Sequence, residues 1–337
     1  MKAIIFPEPG KIIFGDADDP VCNDGEVIIK TDRSGICGTD LHIYRNEYQN
    51  HYPLIPGHEF CGEVVEIGKN VRTIQKGDRV AVDPNINCGE CYFCKRRQFN
   101  QCVNWQGIGI TRAGAFAEYV AVPKQSCYKL PEQINDDQAA FIEPLSCVIH
   151  ALNRLQNKAG DEVLIFGAGP MGLLLIQALK SSAASYIVVV EKESKRRTLA
   201  KDCGASLVCD TIENVQETTM DLAPYGFAIV IDATGVNTVI EKTLSFLKPY
   251  GKYLQFGVAP PDTIVKWKPY NIFRYDLTIL GSFALCYTFT QAISWLEAGR
   301  IEVEPLISHQ IRLTDFAQTF QEFAEGKTLK VHCLYNK

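Results

Sequence analysis

An apolar run, a glycine-rich turn and a helical run follow one another without a break in the middle of the chain. Residues 163–166 form an apolar run of strand length, and Gly167, Gly169 and Gly172 then have the spacing G-x-G-x-x-G. Residues 171–180 continue with a helical pattern. A second apolar run of strand length follows, so the segment predicts a βαβ unit, from which parallel sheets are built.

The same unit predicts a dinucleotide site. The first glycine permits a tight turn, the second lets backbone approach a pyrophosphate, and the third lets helix and strand pack closely. The phosphates would lie at the helix N-terminus, beside Pro170 and Met171. The second run, 186–190, is followed by Glu191, an acid placed to bind the ribose hydroxyls. The alternative is a glycine-rich turn in a βαβ unit without a nucleotide.

The remaining pattern predicts a two-domain fold. Up to about residue 145, short alternating runs separated by glycine and proline predict a barrel-like β domain, at 26–30, 62–67, 77–82 and 116–122. Then strands alternate with helices, which predicts a doubly wound, six-stranded parallel (Rossmann) sheet with strands at 163–166, 186–190, 206–209, 228–232, 252–256 and 277–280. One of the helices is predicted over 238–247 and is closed by a turn at 249–251. From about residue 283 a helix, a strand, a helix and a strand are predicted, at 289–298, 307–312, 315–325 and 330–334.

Composition excludes several classes of protein. The chain has 337 residues, of which 46% are hydrophobic and 22% charged, as in ordinary soluble proteins. A net charge of −5 argues against the basic surface that nucleic-acid-binding proteins need. The longest apolar run is broken by Gly-Ala-Gly-Pro and is too short to span a membrane. The first residues lack the apolar core of a signal peptide, so a cytoplasmic location is expected.

The 13 cysteines do not predict a disulfide framework, because the number is odd and no secretion signal accompanies it. Four of them lie within 15 residues at metal-ligand spacing: Cys88, Cys91, Cys94 and Cys102. Four thiolates can close a tetrahedral zinc site with no open position, which would be structural. An iron–sulfur run would need a shorter final gap and a following proline, and free thiols are the other alternative.

A second set of potential metal ligands is dispersed along the chain. Cys37 and His58 offer a thiolate and an imidazole, and Glu59 and Glu143 offer carboxylates. A catalytic zinc needs about three protein ligands and one open position. Each residue alone has an ordinary interpretation as a core, turn or surface residue. Their occurrence together with the nucleotide unit favours a catalytic zinc site.

Four motifs carry a resemblance to a known family: Gly-Ile-Cys-Gly-Thr-Asp at 35–40, Gly-His-Glu at 57–59, the four-cysteine segment, and Gly-Ala-Gly-Pro-Met-Gly at 167–172. Over nearly its whole length the chain resembles the zinc-dependent medium-chain dehydrogenases/reductases of the alcohol, polyol and threonine dehydrogenase type. The resemblance implies a discontinuous GroES-like catalytic domain (1–146 and 284–337) and a cofactor domain (147–283). It also implies a homodimer or homotetramer that associates through the strand at 277–280.

The resemblance also implies residue roles. Cys37 and His58 would bind zinc, Glu59 would bind or release it, and Glu143 would reach it directly or through water. Thr39 would take the proton of the alcohol, and His42 would pass it to solvent. Further cofactor-binding positions would be Arg196, Thr234 in the segment 232–235, and Val258.

The expected reaction is hydride transfer from a secondary alcohol of a polyol or sugar-derived substrate to NAD⁺, with two zinc ions per chain. Glu-Pro-Leu-Ser at 143–146 favours a polyol, whereas 37–44 also resembles L-threonine 3-dehydrogenase. Glu191 favours NAD, although Lys192, Lys195, Arg196 and Arg197 would suit the extra phosphate of NADP. Residues 283–285 read Phe-Ala-Leu, without the arginine that several sorbitol dehydrogenases carry there. A non-catalytic homologue, the remaining alternative, would be expected to have lost a ligand or relay residue.

Overall fold

The computed structural model describes residues 1–48 and 51–335. The chain divides into two compact units, the first formed by Met1–Ser146 with Cys286–Lys337 and the second by Cys147–Leu285. Among the described residues, no helix has the length and apolar character that a membrane span requires.

The first part of the chain is mostly β, as its alternating runs predict. Its strands are Lys2–Ile5 (β1), Ile13–Asp16 (β2), Glu26–Ile36 (β3), Glu59–Ile67 (β4), Arg79–Val82 (β5), Asn85–Ile86 (β6), Gln106–Gly107 (β7), Tyr119–Pro123 (β8) and Cys127–Lys129 (β9). Its helices are short: Gly38–Tyr44 (α1), Tyr92–Lys95 (α2) and Asp136–Ala140 (α3). The longer helix Ile142–Leu155 (α4) contains the boundary between the units.

The second unit is built on a sheet of six parallel strands in the order β12-β11-β10-β13-β14-β15. The strands are Glu162–Phe166 (β10), Tyr186–Val190 (β11), Leu207–Cys209 (β12), Phe227–Asp232 (β13), Leu247–Gln255 (β14) and Thr278–Gly281 (β15). The helices are Pro170–Ser181 (α5), Ser194–Asp202 (α6), Asn214–Thr218 (α7), Asn237–Thr243 (α8) and Pro269–Arg274 (α9). This strand order is that of the dinucleotide-binding doubly wound fold, so the predicted fold class is confirmed.

One segment of this sheet differs from the prediction. The sequence predicts a helix over 238–247 that is closed by a turn at 249–251, but α8 ends at Thr243 and β14 already begins at Leu247. The pairing register shifts between Phe227 and Ile229, and Tyr250 has a φ of 62°. The N–H of Tyr250 donates to the carbonyl oxygen of Tyr275 at 2.8 Å. The proline and glycine therefore form a bulge inside a strand instead of a turn before it.

The chain then returns to the first unit through Phe289–Glu297 (α10), Ile307–Arg312 (β16), Phe316–Ala324 (α11) and Lys330–Leu334 (β17). The sheet of this unit has the order β16-β17-β3-β4-β5-β9, and β8 also pairs with β3. β3 is longer than predicted because it has two successive partners on one edge. β8 pairs with residues 26–30 and β17 with residues 33–36.

The returning segment is packed into the core of the first unit. Phe320 of α11 contacts Phe6 with 5.8 Å between ring centroids, and Phe316 contacts Phe116 at 4.8 Å. All four rings are fully buried. The same cluster contains Ile36 and Ile43, which lie on either side of Cys37 along the chain. The C-terminal helix therefore supports the region in which the predicted ligands lie.

Candidate active site and cofactor loop

Three of the predicted ligands converge where two neighbouring strands and a helix meet. Cys37 follows β3 and precedes α1, His58 precedes β4, and Glu59 is the first residue of β4. Their donor atoms all lie within 4.8 Å of one another. β3 and β4 pair so that Gly35 lies opposite Glu59, which brings the end of one strand beside the start of the other.

A buried carboxylate organises two of these ligands. The backbone N–H of Cys37 donates to Oδ2 of Asp40 at 2.8 Å, and Oδ1 of Asp40 lies 3.4 Å from Nδ1 of His58. Burial disfavours a charge on His58, but the anionic groups of Asp40 and Cys37 outweigh burial and raise the pKa of its imidazole well above the ordinary value. This electrostatic environment favours positive charge at the site.

A lysine from the last strand fixes the third ligand. Nζ of Lys330 donates to Oε2 of Glu59 at 2.5 Å and to the carbonyl oxygen of Ile36 at 3.2 Å. Burial lowers the pKa of Lys330, but Glu59, Cys37 and Glu143 outweigh that effect and raise it. The contact needs a glycine at position 35, because a Cβ there would lie 2.4 Å from Oε2 of Glu59. Oε1 of Glu59 is buried and has no hydrogen-bond partner among the described residues.

These observations test whether the residues fit a zinc ion. The site offers one thiolate, one imidazole and one carboxylate, the donor types of catalytic zinc sites. The buried and unpartnered Oε1 of Glu59 needs a partner, since a buried charged oxygen without one is costly. The donor set therefore fits zinc.

The other predicted catalytic residues lie at different places around this group. Glu143 is buried in the first turn of α4, and its charge acts on Lys330, but it is not among the donors within 4.8 Å. The hydroxyl of Thr39 lies 3.8 Å from Sγ of Cys37. His42 lies in the last turn of α1, and its Nδ1 lies 2.7 Å from Oε2 of Glu47.

The four cysteines of the second predicted site also converge. Their Sγ atoms lie within 4.8 Å of one another, with Cys88 and Cys102 separated by 3.5 Å and Cys91 and Cys102 by 4.0 Å. Sulfurs bound to one tetrahedral zinc would be about 3.8 Å apart, given Zn–S bonds of about 2.3 Å. Backbone N–H groups of Cys94 and Val103 lower the pKa of the Cys91 thiol to about 6, which favours a thiolate. The geometry and the chemistry of this cluster fit a structural zinc ion.

The glycine-rich loop has the shape its sequence predicts. Gly167 has a φ of 98°, a conformation that residues with a side chain rarely adopt. A Cβ on Gly172 would lie 2.2 Å from the carbonyl oxygen of Gly167, whereas a Cβ on Gly169 would meet nothing within 4 Å. Gly169 therefore leaves open space beside the N-terminus of α5, which begins with Pro170 and Met171.

Glu191 follows β11 and faces the glycine loop. Its Oε2 accepts the N–H of Ala168 at 2.8 Å, and its Oε1 accepts the N–H of Glu193 at 2.9 Å. The other predicted cofactor positions are dispersed around the ends of neighbouring strands. Arg196 is partly buried on α6, and Thr234 donates to the buried carboxylate of Asp232 through its hydroxyl at 2.6 Å. Val258 is exposed after β14, with its carbonyl oxygen packed against Gly235.

Two residues of the site, Asp40 and Lys330, have no role in the sequence-based prediction. Asp40 had a local signal, because an acidic residue three positions after the residue that precedes a helix is a capping arrangement. Lys330 had no local sequence signal, because its partner Glu59 is 271 residues away. A lysine at the start of a largely apolar strand is only a weak indication of a buried ion pair.

Two family profiles match the chain. One, described as an alcohol dehydrogenase GroES-like domain, matches residues 23–132, and the other, described as a zinc-binding dehydrogenase, matches residues 170–298. Among curated proteins, the chain is 32% identical to D-arabinitol dehydrogenase 1 of Uromyces fabae, over 98% of this chain and 96% of that protein. It is also 32% identical to L-threonine 3-dehydrogenase of Alteromonas mediterranea, over 98% of each.

Solved structures show the same two-domain fold. A zinc-binding dehydrogenase of Sinorhizobium meliloti, described as putative and bound to NADP, superposes with a TM-score of 0.94 at 32% identity, covering 99% of both chains. An alcohol dehydrogenase of Escherichia coli CFT073, complexed with NADH, has a TM-score of 0.92 at 29% identity, again over 99% of both chains. Similarity therefore extends over the entire described fold.

Proposed function

The chain belongs to the family of zinc-binding medium-chain dehydrogenases/reductases, and from this we propose that it oxidises a secondary alcohol of a polyol or sugar-derived substrate with NAD⁺ and zinc. The observation that carries the proposal is the convergence of Cys37, His58 and Glu59 within 4.8 Å. Similarity to an arabinitol dehydrogenase supports a polyol substrate. Similarity to threonine dehydrogenases keeps an amino alcohol as the second candidate.

The site residues would have separate roles in zinc binding and in proton transfer. Cys37, His58 and Glu59 would hold the catalytic zinc, with Glu143 nearby, and the four-cysteine cluster would hold the structural one. Zinc supplies Lewis acidity that lowers the pKa of an alcohol hydroxyl, and the nicotinamide accepts the hydride. The hydroxyl of Thr39 would accept the proton of the substrate beside these ligands while giving up its own, and His42 would deliver a proton from this route to solvent. The substrate loses one proton and one hydride and becomes a ketone.

The proton route is tested with two variants. Thr39→Val is expected to lower kcat more than about 100-fold, a typical contribution of acid–base catalysis, while zinc content stays unchanged. His42→Ala should be slow near neutral pH and should recover at high pH or with added imidazole, because external bases can then take the proton. A pH–rate profile of His42→Ala parallel to that of the unchanged enzyme would exclude His42 from the route.

The substrate class is tested by measuring NADH formation with polyols, aldonates and amino alcohols. The proposal predicts the highest kcat/KM with a polyol or sugar-derived secondary alcohol. A higher value with L-threonine would favour the second candidate. Absence of turnover with every class, in protein that contains its zinc, would contradict enzymatic function.

The preference for NAD rests on Glu191. Each of its oxygens accepts one backbone N–H, and a carboxylate oxygen can accept a further bond from a ribose hydroxyl. Its charge would repel a 2′-phosphate. Glu191→Ser is expected to move the ratio of kcat/KM values towards NADP by at least about tenfold, or 1.4 kcal/mol. A preference of the unchanged enzyme for NADP would contradict the assignment.

A further inference from the structure

The chain after α1 folds back onto the helix in a defined motif. Asn46 has a φ of 59°, and its N–H donates to the carbonyl oxygen of Ile43 at 2.9 Å. The N–H of the next residue, Glu47, donates to the carbonyl oxygen of His42 at 2.8 Å. These two bonds around a left-handed residue define a Schellman motif, in which Asn46 occupies the position usually held by glycine.

The motif places a carboxylate against the predicted relay histidine. In a Schellman motif the second residue after the helix lies over the third residue from its end, and an apolar contact between them is common. Here the two residues are Glu47 and His42, and the contact is polar: Oε2 of Glu47 lies 2.7 Å from Nδ1 of His42. The pair lies near the surface, where the side chain of Glu47 is 33% exposed and that of His42 is 22% exposed.

The chemistry of the pair determines which ring nitrogen carries the hydrogen. An ionised carboxylate can only accept, so Nδ1 of His42 must donate to it. In the neutral imidazole, Nε2 is then the nitrogen with a free lone pair. A carboxylate or carbonyl bonded to one ring nitrogen commonly fixes the tautomer and the orientation of a functional histidine.

From this we propose that Glu47 is a positioning residue that holds His42 with Nδ1 protonated and Nε2 available as the base of the proton route. The proposal rests on the proposed function, in which His42 receives the proton. It extends that function by explaining how a histidine in the last turn of a short helix keeps one tautomer and one orientation. Asn46 contributes to this positioning, because its left-handed conformation brings Glu47 back to the helix.

The tautomer is measured without turnover, by long-range ¹H–¹⁵N NMR of the imidazoles in zinc-loaded protein, with the His42 signal assigned from its loss in His42→Gln. The unchanged protein should show protonated Nδ1. Glu47→Leu, which keeps a residue type compatible with the Schellman motif, should lose this pattern, and Glu47→Asp should retain it. An Nε2-protonated His42 in the unchanged protein, or no change in Glu47→Leu, would overturn the proposal.

Turnover provides the second readout. Glu47→Leu is expected to lower kcat about tenfold, the lower end of the cost of losing a partner that orients a functional histidine. KM and zinc content should stay unchanged, and Glu47→Asp should restore most of the rate. Glu8→Gln, which removes another surface carboxylate paired with a neighbouring lysine, serves as the control and should keep the original kcat.

The two hypotheses fail in different ways. If His42→Gln turns over at the original rate, the proton route of the proposed function is wrong, while the NMR pattern still decides whether Glu47 sets the tautomer. If Glu47→Leu changes the tautomer but leaves kcat unchanged, Glu47 has no role in the reaction and the proposal is overturned.

Discussion

At the scale of single residues, the candidate site contains a buried ion pair between Lys330 of the last strand and Glu59, a predicted zinc ligand. Cys37, His58 and Glu59 were predictable because their donor types occur in short, specific motifs. Lys330 was not, because nothing local connects a lysine in the last strand with a carboxylate 271 residues earlier. The absence of a side chain at Gly35 is the physical condition that lets the two meet.

The Lys330–Glu59 pair leads to a stability prediction. Lys330→Met should lower the free energy of unfolding by about 3–5 kcal/mol, because it leaves a buried carboxylate without its partner. Lys2→Met provides the control, since Lys2 pairs with Asp16 at the surface, where the two side chains are 50% and 81% exposed and solvent screens their attraction. Urea unfolding measures both. Equal losses in the free energy of unfolding for the two substitutions would show that the buried pair stabilises the fold no more than the surface pair does.

Asp83 leads to a prediction about pH. Burial raises the pKa of its carboxyl to about 6, despite hydrogen bonds from Asn85. A carboxyl whose pKa is raised by folding contributes most below its unfolded pKa, and that contribution is lost as the pH rises through about 6. Asp83→Asn should therefore gain about 1–2 kcal/mol over the unchanged protein at pH 8, allowing for partial exposure, and about half as much at pH 5.

Asp78→Asn is the opposite control for this experiment. Burial raises the pKa of Asp78, but hydrogen bonds from Lys129 and from the backbone of Gln75 outweigh it and lower the pKa overall. Neutralising this carboxyl should therefore reduce stability at pH 8. Unfolding curves of Asp83→Asn that show the same difference from the unchanged protein at both pH values would contradict the argument.

At the scale of elements, periodicity predicted the sheets better than the short helices. β11, β16 and β17 have the predicted ends, because alternating or buried apolar runs bounded by polar residues define a strand locally. α1 carries Thr39 and His42 but spans only seven residues, too few to show a helical period. The sequence at 249–251 predicts a turn where the structure has a bulge, since proline and glycine indicate an interruption without showing whether strand pairing resumes.

The four-cysteine segment leads to a prediction for an element with little apolar core of its own. Cys94→Ser should lower the Tm by several degrees and leave one zinc ion per chain, because closure of a metal site contributes folding free energy, at roughly 2–4 °C per kcal/mol for a domain of this size. Cys22→Ser, which removes a thiol outside the cluster, is the control. Unchanged Tm and two zinc ions in Cys94→Ser would contradict a structural role.

At the scale of the whole molecule, β15 is the edge strand of the parallel sheet, as the predicted mode of association requires. An edge strand presents unpaired N–H and C=O groups that favour pairing with another chain. Exposed aromatic residues occur in the adjoining sequence, with Tyr270 68% and Phe273 79% exposed in α9. Large exposed apolar side chains of this kind are typical of interaction surfaces.

Association through this edge is testable with one charge. Ile279 lies in β15 and is 40% exposed. Ile279→Lys should convert a homodimer to monomers, or a homotetramer to smaller species, because a buried charge at an interface is costly. Light scattering coupled to size exclusion measures the mass, and Val21→Lys, at an exposed position of the first unit, is the control. An unchanged mass for Ile279→Lys would place the interface elsewhere.

The late position of Lys330 in the chain has a consequence for biosynthesis. During synthesis Cys37, His58 and Glu59 leave the ribosome long before β17. The carboxylate of Glu59 therefore first exists without Lys330, and β3 first exists without β17 as its neighbour. The whole cofactor unit is made in the interval. The proposed four-cysteine zinc site is therefore complete early, within 15 residues, whereas the candidate active site is complete only when the last strand has been released.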